Sequence, residues 1–234
     1  MPSQSNTRGS KPKNWPPEIP FLTAPIYSKT LQKPHLTSLK TKNTTDPTIP
    51  TISTAKGPCS FVKITPISTP SHPAHGQSGL FATADLKPGT FILQYMGEIH
   101  VTLSPISSPA ESNSNSNSGL DQTPDPACKN INIEIIDPHA NSNYDLSLDR
   151  ESGIGIDADK CGTEARFIND YRGVAAAPNA EFREIWDGNR KERGMGVFVL
   201  GEGKGRKGKG VRKGEEILVS YGRGFWGARR EEGG

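Results

Sequence analysis

The strongest constraint on this chain is that no long segment carries helical periodicity. Its apolar residues come in short runs separated by turns rich in Gly, Pro and Asn. Short apolar or alternating runs bounded by turn residues form strands, whereas an amphipathic helix needs an i, i+3, i+4, i+7 pattern over about ten residues or more. Strands are therefore expected at 61–64, 79–82, 91–95, 131–136, 182–186, 196–200 and 217–221. Residues 85–90 contain the Pro-Gly of a turn, and 144–148 with 153–157 read as a hairpin closed at 149–152. The stretch 164–169 fits either helix or strand. Many short strands joined by Gly-rich turns make a mainly β fold with a few short helices.

Composition divides the chain. A hydrophobic content of 32% is low for a packed chain of 234 residues, while 25 Gly and 20 Pro are high. Residues 1–56 are rich in Pro and Thr and hold eight basic side chains against Glu18 and Asp46. So little apolar surface does not offset the entropy of ordering, so the expectation is a disordered basic tail with a local anchor at Trp15 or Phe21-Leu22. A solvated tail and a docking or targeting arm both fit. A domain is expected at 57–228, followed by a short tail at 229–234. It carries a low-complexity insert at about 104–128, around Ser112-Asn113-Ser114-Asn115, and a basic insert at about 203–210.

The run from 203 to 213 holds six positive side chains and no acid, which suits a solvated loop or screened contact with acidic partners. A net charge of +3, without interleaved aromatics or a recognisable module, gives no expectation of direct nucleic-acid binding. Cys59, Cys128 and Cys161 are odd in number and form no CxxC pair, which argues against a disulfide framework and against a metal site. No apolar run approaches the ~18 residues of a membrane span, and no secretory signal is visible. A soluble, intracellular protein in a reducing compartment is expected.

Three separated stretches carry the chemistry. They are Gly79-Leu80-Phe81-Ala82 through Tyr95-Met96-Gly97-Glu98, then Arg166-Phe167-Ile168-Asn169, then Gly214-Glu215-Glu216-Ile217-Leu218-Val219-Ser220-Tyr221-Gly222. In this order over about 145 residues they resemble the SET domain of protein-lysine methyltransferases. The resemblance covers about 57–228. It implies small β-sheets with a threaded C-terminal segment and S-adenosylmethionine-dependent lysine N-methylation of a protein. Histone is among the substrates it admits, and the nucleus and chromatin are favoured over the cytoplasm.

The resemblance also implies site residues. Gly79, Leu80, Phe81, Tyr95, Arg166, Phe167, Asn169, Asp170 and Trp226 fall to the cofactor. Tyr221 takes the catalytic position, and Tyr95, Val219, Tyr221 and Phe225 wall the lysine channel. Methyl transfer is an in-line displacement, so alignment and electrostatics carry it. An apolar channel beside a positive sulfonium lowers the pKa of a lysine amine, and ring faces suit a methylated ammonium. The chain departs from the family pattern at Gln77, where a first glycine is usual, and at Asp170 and Tyr171, which stand for His and Ser. Pro178-Asn179 ends the motif after an insertion around 172–177. These departures leave a rival open: a catalytically weak SET-like binding or scaffold module.

Overall fold

The computed structural model describes residues 11–102, 137–201 and 209–222. Within them the fold is mainly β: twelve strands, one α-helix and one 3-10 turn. One sheet is built on a long hairpin, β10 (Ala180–Asp187) and β11 (Glu192–Val199), paired from Ala180↔Val199 to Asp187↔Glu192. Its turn is fixed by Asp187, whose Oδ1 accepts from the backbone N–H groups of Asn189 (2.8 Å) and Arg190 (3.1 Å). β5 (Phe91–Tyr95) flanks β11 antiparallel, and β2 (Thr51–Ile52) flanks β10 parallel.

The second sheet runs β1 (Ile26–Tyr27), β6 (Glu98–Val101), β8 (Ile154–Asp157), β7 (Asp145–Asp149). The hairpin expected at 144–157 is its β7–β8 pair. β3 (Val62–Pro66) and β4 (Ser78–Ala82) form a separate antiparallel pair. The ambiguous stretch at 164–169 resolves into a 3-10 turn, Glu164–Phe167, running into β9 (Asn169–Asp170). One core joins these pieces, with Leu80, Ile154, Ile185, Val197, Ile217 and Val219 fully buried.

Residues 11–56 depart from the expected disordered tail. Trp15 is buried, meets Phe21 edge-on at 5.0 Å and Phe167 at 5.7 Å, and donates its indole N–H to Ile19 O. β1 lies parallel to β6, and α1 (Lys33–Lys40) seats buried Leu39 while Lys40 Nζ reaches the buried Glu192 carboxylate at 2.5 Å. Mean composition missed this because the few apolar residues need only dock on sheet edges that the rest of the chain provides. The expected strand at 131–136, the insert at 104–128, most of the basic insert, Phe225, Trp226 and the tail at 229–234 lie outside the described residues.

The C-terminal segment is laced through the fold. Val211 exchanges two backbone hydrogen bonds with Leu86, Gly214 N–H donates to Ala82 O, and Ile217 N–H donates to Leu80 O at 2.7 Å. Gly210 is required here: its φ is +70°, and a Cβ would stand 2.4 Å from Leu86 O. The chain then crosses to β9, where β12 (Leu218–Val219) pairs in parallel, Leu218↔Asn169 and Val219↔Asp170. Asn179 clamps the crossing, donating from Nδ2 to Glu216 O (2.7 Å) and accepting at Oδ1 from Leu218 N–H (2.8 Å).

Candidate functional site

This lacing brings the three motifs together. Burial of Ile217, Leu218 and Val219 drives the last strand between β4 and β9, and Tyr221 emerges beside Ile168 and Asp170. The Tyr221 hydroxyl donates to Ile168 O at 2.6 Å, and its backbone N–H donates to Asp170 Oδ2 at 2.8 Å. Arg172 Nη1 contacts both Asp170 oxygens, at 3.1 and 2.8 Å. The acid standing where the family carries His is thus a buried brace for the backbone of Tyr221.

Tyr95 ends β5, is buried, and donates its hydroxyl to Tyr144 O at 2.6 Å. Its ring meets Phe182 edge-on at 5.4 Å. Burial pushes the Tyr95 phenol well above its ordinary value, with Tyr221 and Asp157 adding to the rise and Arg166 opposing it. Arg166 is spent on the fold: Nε donates to Ala158 O and Nη2 to Asp159 O, and its guanidinium lies 4.4 Å from the Tyr144 ring centre. Phe167 packs against Trp15. Leu80 and Val219 belong to the core, and Phe81 bridges Glu216 through its backbone.

The remaining predicted residues converge on a side chain that the sequence reading passed over. Asn169 Nδ2 donates to Glu216 Oε1 at 2.8 Å and approaches Ser78 O at 3.5 Å. Gly79 faces the same oxygen so closely that an added Cβ would stand 2.5 Å from it. The second oxygen, Oε2, lies 3.0 Å from His72 Nε2. His72 sits on the loop between β3 and β4, closed by Ile67 N–H to Gln77 O and Gly76 N–H to Ile67 O. Glu216 belongs to a quoted motif but has no role assigned to it in the sequence. His72, in a Pro- and Ser-rich connection, gave no signal.

A separate cleft of about 270 Å³ is lined by Cys59, Gln94, Thr163 and Glu164 among others, and by none of the predicted site residues. Burial pushes the Cys59 thiol up to about 11 and raises the Glu164 carboxyl.

Residues 77–222, more than half of the chain, match the family model of the SET domain. The chain belongs to the SET-domain family. Similar solved structures include the polycomb repressive complex 2 of Chaetomium thermophilum, at 20% identity over 74% of this chain and 16% of that one, with a TM-score of 0.40. Another is ctPRC2 in an autoinhibited conformation bound to S-adenosylmethionine, at 17% identity over 74% of this chain and 17% of that one, with a TM-score of 0.41. This SET-family chain therefore spans about a sixth of the length of those chains. No curated protein sequence matches it.

Proposed function

We propose that this SET-family chain is an S-adenosylmethionine-dependent protein-lysine N-methyltransferase, with histones among its substrates and the nucleus as its place of action. The observation that supports this most is the meeting of Gly79, Asn169 and Tyr221 along one laced segment. The Ser78 carbonyl and the Glu216 carboxylate form a set of acceptors beside Gly79, whose missing Cβ lets the carboxylate pack against it. That set fits a ligand with positive charge. When bound, S-adenosylmethionine supplies an electrophilic methyl group.

The chain's own residues do the rest. Gly79 and Asn169 would hold the cofactor, with Leu80, Phe81 and the backbone of Asp170 shaping that wall. Tyr221 orients the reacting groups through a hydroxyl already anchored on Ile168 O. Tyr95 would wall the lysine channel with Tyr221, while Val219 backs that wall from the core. A free lysine has a pKa of about 10.4, and an apolar channel lowers it by stripping water from the ammonium. A neutral amine thus arises without a dedicated base. Arg166 and Phe167 act at one remove, fixing the turn that leads into Asn169.

Titration calorimetry with S-adenosylmethionine, followed by labelled methyl transfer to histones and cell extract, tests the reading. Cofactor binding and label on a lysine are expected. No binding at millimolar cofactor would sink it. The scaffold reading draws support from the Asn169 amide and the Tyr221 hydroxyl, which both already have partners inside the fold. Histone-peptide binding without cofactor binding would favour it.

A further inference from the structure

The cleft beside β5 takes no part in the methyl-transfer reading. Its volume, about 270 Å³, is below the ~300–1,000 Å³ of clefts for drug-sized ligands, so it suits one side chain rather than a nucleoside. Its apolar walls include Leu22 from the N-terminal segment, the exposed Phe61 ahead of β3, and Phe91, Ile92 and Leu93 of β5.

Four buried polar side chains stand on these walls, and three are spent on the fold. Thr54 Oγ1 donates to Asp187 Oδ2, Thr163 Oγ1 donates to Gln94 O, and Gln94 Oε1 accepts from Arg190 Nη1. The fourth is Glu164, 2% exposed, whose carboxyl is held by the Cys59 N–H at 2.7 Å and by its own N–H. No Lys, Arg or His lines the cleft, and Arg190, which reaches Gln94 and Thr23 O from behind it, is paired with Asp187. Burial raises the Glu164 carboxyl, and only those two N–H groups oppose the rise. Burial also pushes the Cys59 thiol up to about 11, so it stays neutral. Glu164 is thus the one charge of the cleft, and a buried carboxylate without a cation is costly.

We infer that this cleft is a docking site for a lysine side chain of a partner protein, with Glu164 as the counter-charge of its ammonium. Charge and shape complementarity carry the inference. A lysine lays a four-carbon stem along apolar surface and carries its charge at the tip. The rings of Phe61 and Phe91 suit that tip, free or methylated, through cation–π attraction. An ammonium needs only one free lone pair on the carboxyl. A guanidinium makes two parallel bonds and needs both oxygens, of which Oε1 already takes the Cys59 N–H. Docking here requires no cofactor, so the inference stands apart from the methyltransferase reading.

The test is ligand-observed NMR titration of the full chain with n-pentylammonium, n-pentyltrimethylammonium and the uncharged 1-pentanol. At least one ammonium should bind about tenfold or more tighter than the alcohol, and the tighter of the two tells whether the free or the methylated side chain is the occupant. Glu164→Gln keeps an acceptor for the Cys59 N–H and should weaken the ammonium ions at least about tenfold, with the alcohol changed less than about threefold. If Glu164→Gln does not fold, Ser60→Lys decides: this exposed lining position would set an ammonium of its own at the cleft and should displace the probes to a similar extent. Alcohol and ammonium binding equally overturns the inference and makes Glu164 a neutral acid in an apolar cleft. Ammonium binding that survives these substitutions lies elsewhere and overturns it too, as does no binding at all.

Discussion

Two buried glutamates on different parts of the fold solve the problem of burial in opposite ways. Glu192, 1% exposed at the start of β11, receives the Lys40 ammonium at 2.5 Å and a short hydrogen bond from the Tyr27 hydroxyl. Glu216 receives only the neutral groups of His72 and Asn169. The first arrangement supplies its own cation from α1, and so fastens the N-terminal segment to the main sheet. Burial alone would lower the Lys40 pKa, but its hydrogen bonds to Glu192 and Tyr27 hold it above the ordinary value. The second arrangement leaves charge unmatched beside Gly79. Glu192 thus has a cation but keeps one oxygen without a partner, whereas both oxygens of Glu216 are hydrogen-bonded and no lysine or arginine among the described residues pairs with it.

Removing each partner tests that division. Lys40→Met strands a carboxylate whose other oxygen, Oε1, already has no hydrogen-bond partner. The loss should be about 3 kcal/mol, at the low end for a broken buried pair because solvent still reaches Lys40. Melting should fall by roughly 6 °C or more, with methyl transfer unchanged at temperatures where the protein stays folded. His72→Phe should cost only about 1 kcal/mol, one hydrogen bond at a site that keeps Asn169. Equal costs in thermal unfolding would break the comparison.

Asn169→Ala comes next, at about 1–3 kcal/mol of cofactor affinity, the usual cost of orphaning a buried polar partner, here Glu216. Calorimetry checks it, and unchanged affinity in a folded variant would confine Asn169 to the fold. Tyr221→Phe keeps the ring's packing and loses one hydroxyl hydrogen bond, so stability should change by about 1 kcal/mol or less. Turnover should drop at least about tenfold, since ~1.4 kcal/mol of transition-state stabilisation suffices. A variant that loses stability but not turnover would confine Tyr221 to the fold.

Legibility in the sequence followed the range of the interactions. β5 was expected at 91–95 and forms there, and the β7–β8 hairpin follows its turn residues, because period-two alternation and turn chemistry are local. The meeting of Gly79, Asn169 and Tyr221 was legible only through motif order. β1 and β2, each two residues long, were invisible because their partners, Glu98–Ile99 and Trp186–Asp187, lie far along the chain. The Asp170 brace and the His72–Glu216 contact escaped for the same reason. A side chain's partner across 144 residues leaves no local pattern.

A third pair sharpens the comparison, because its cation can be switched. His100 is fully buried, its Nε2 lies 2.9 Å from Asp145 Oδ1, and its ring stacks on His139 at 3.7 Å, itself paired with Asp157. Burial alone would push the imidazole down, but the Asp145 hydrogen bond and charge, with Asp137 adding, hold it above the ordinary histidine value. A group raised in the folded state contributes stability that is fully present below about pH 6.5 and is lost as pH rises through the folded value. Asp149, Asp157 and Asp187 are held below their ordinary range, so their stability is present above about pH 3.8 and is lost only on further acidification. The two windows do not overlap. Denaturation midpoints measured from pH 5.5 to 8.5 should therefore decline slightly, by less than about 1 kcal/mol in total, and Asp145→Asn should flatten the decline. A midpoint that rises with pH in this window, or a slope that Asp145→Asn leaves intact, would remove His100 as the switchable case between the permanent cation at Glu192 and the neutral donors at Glu216.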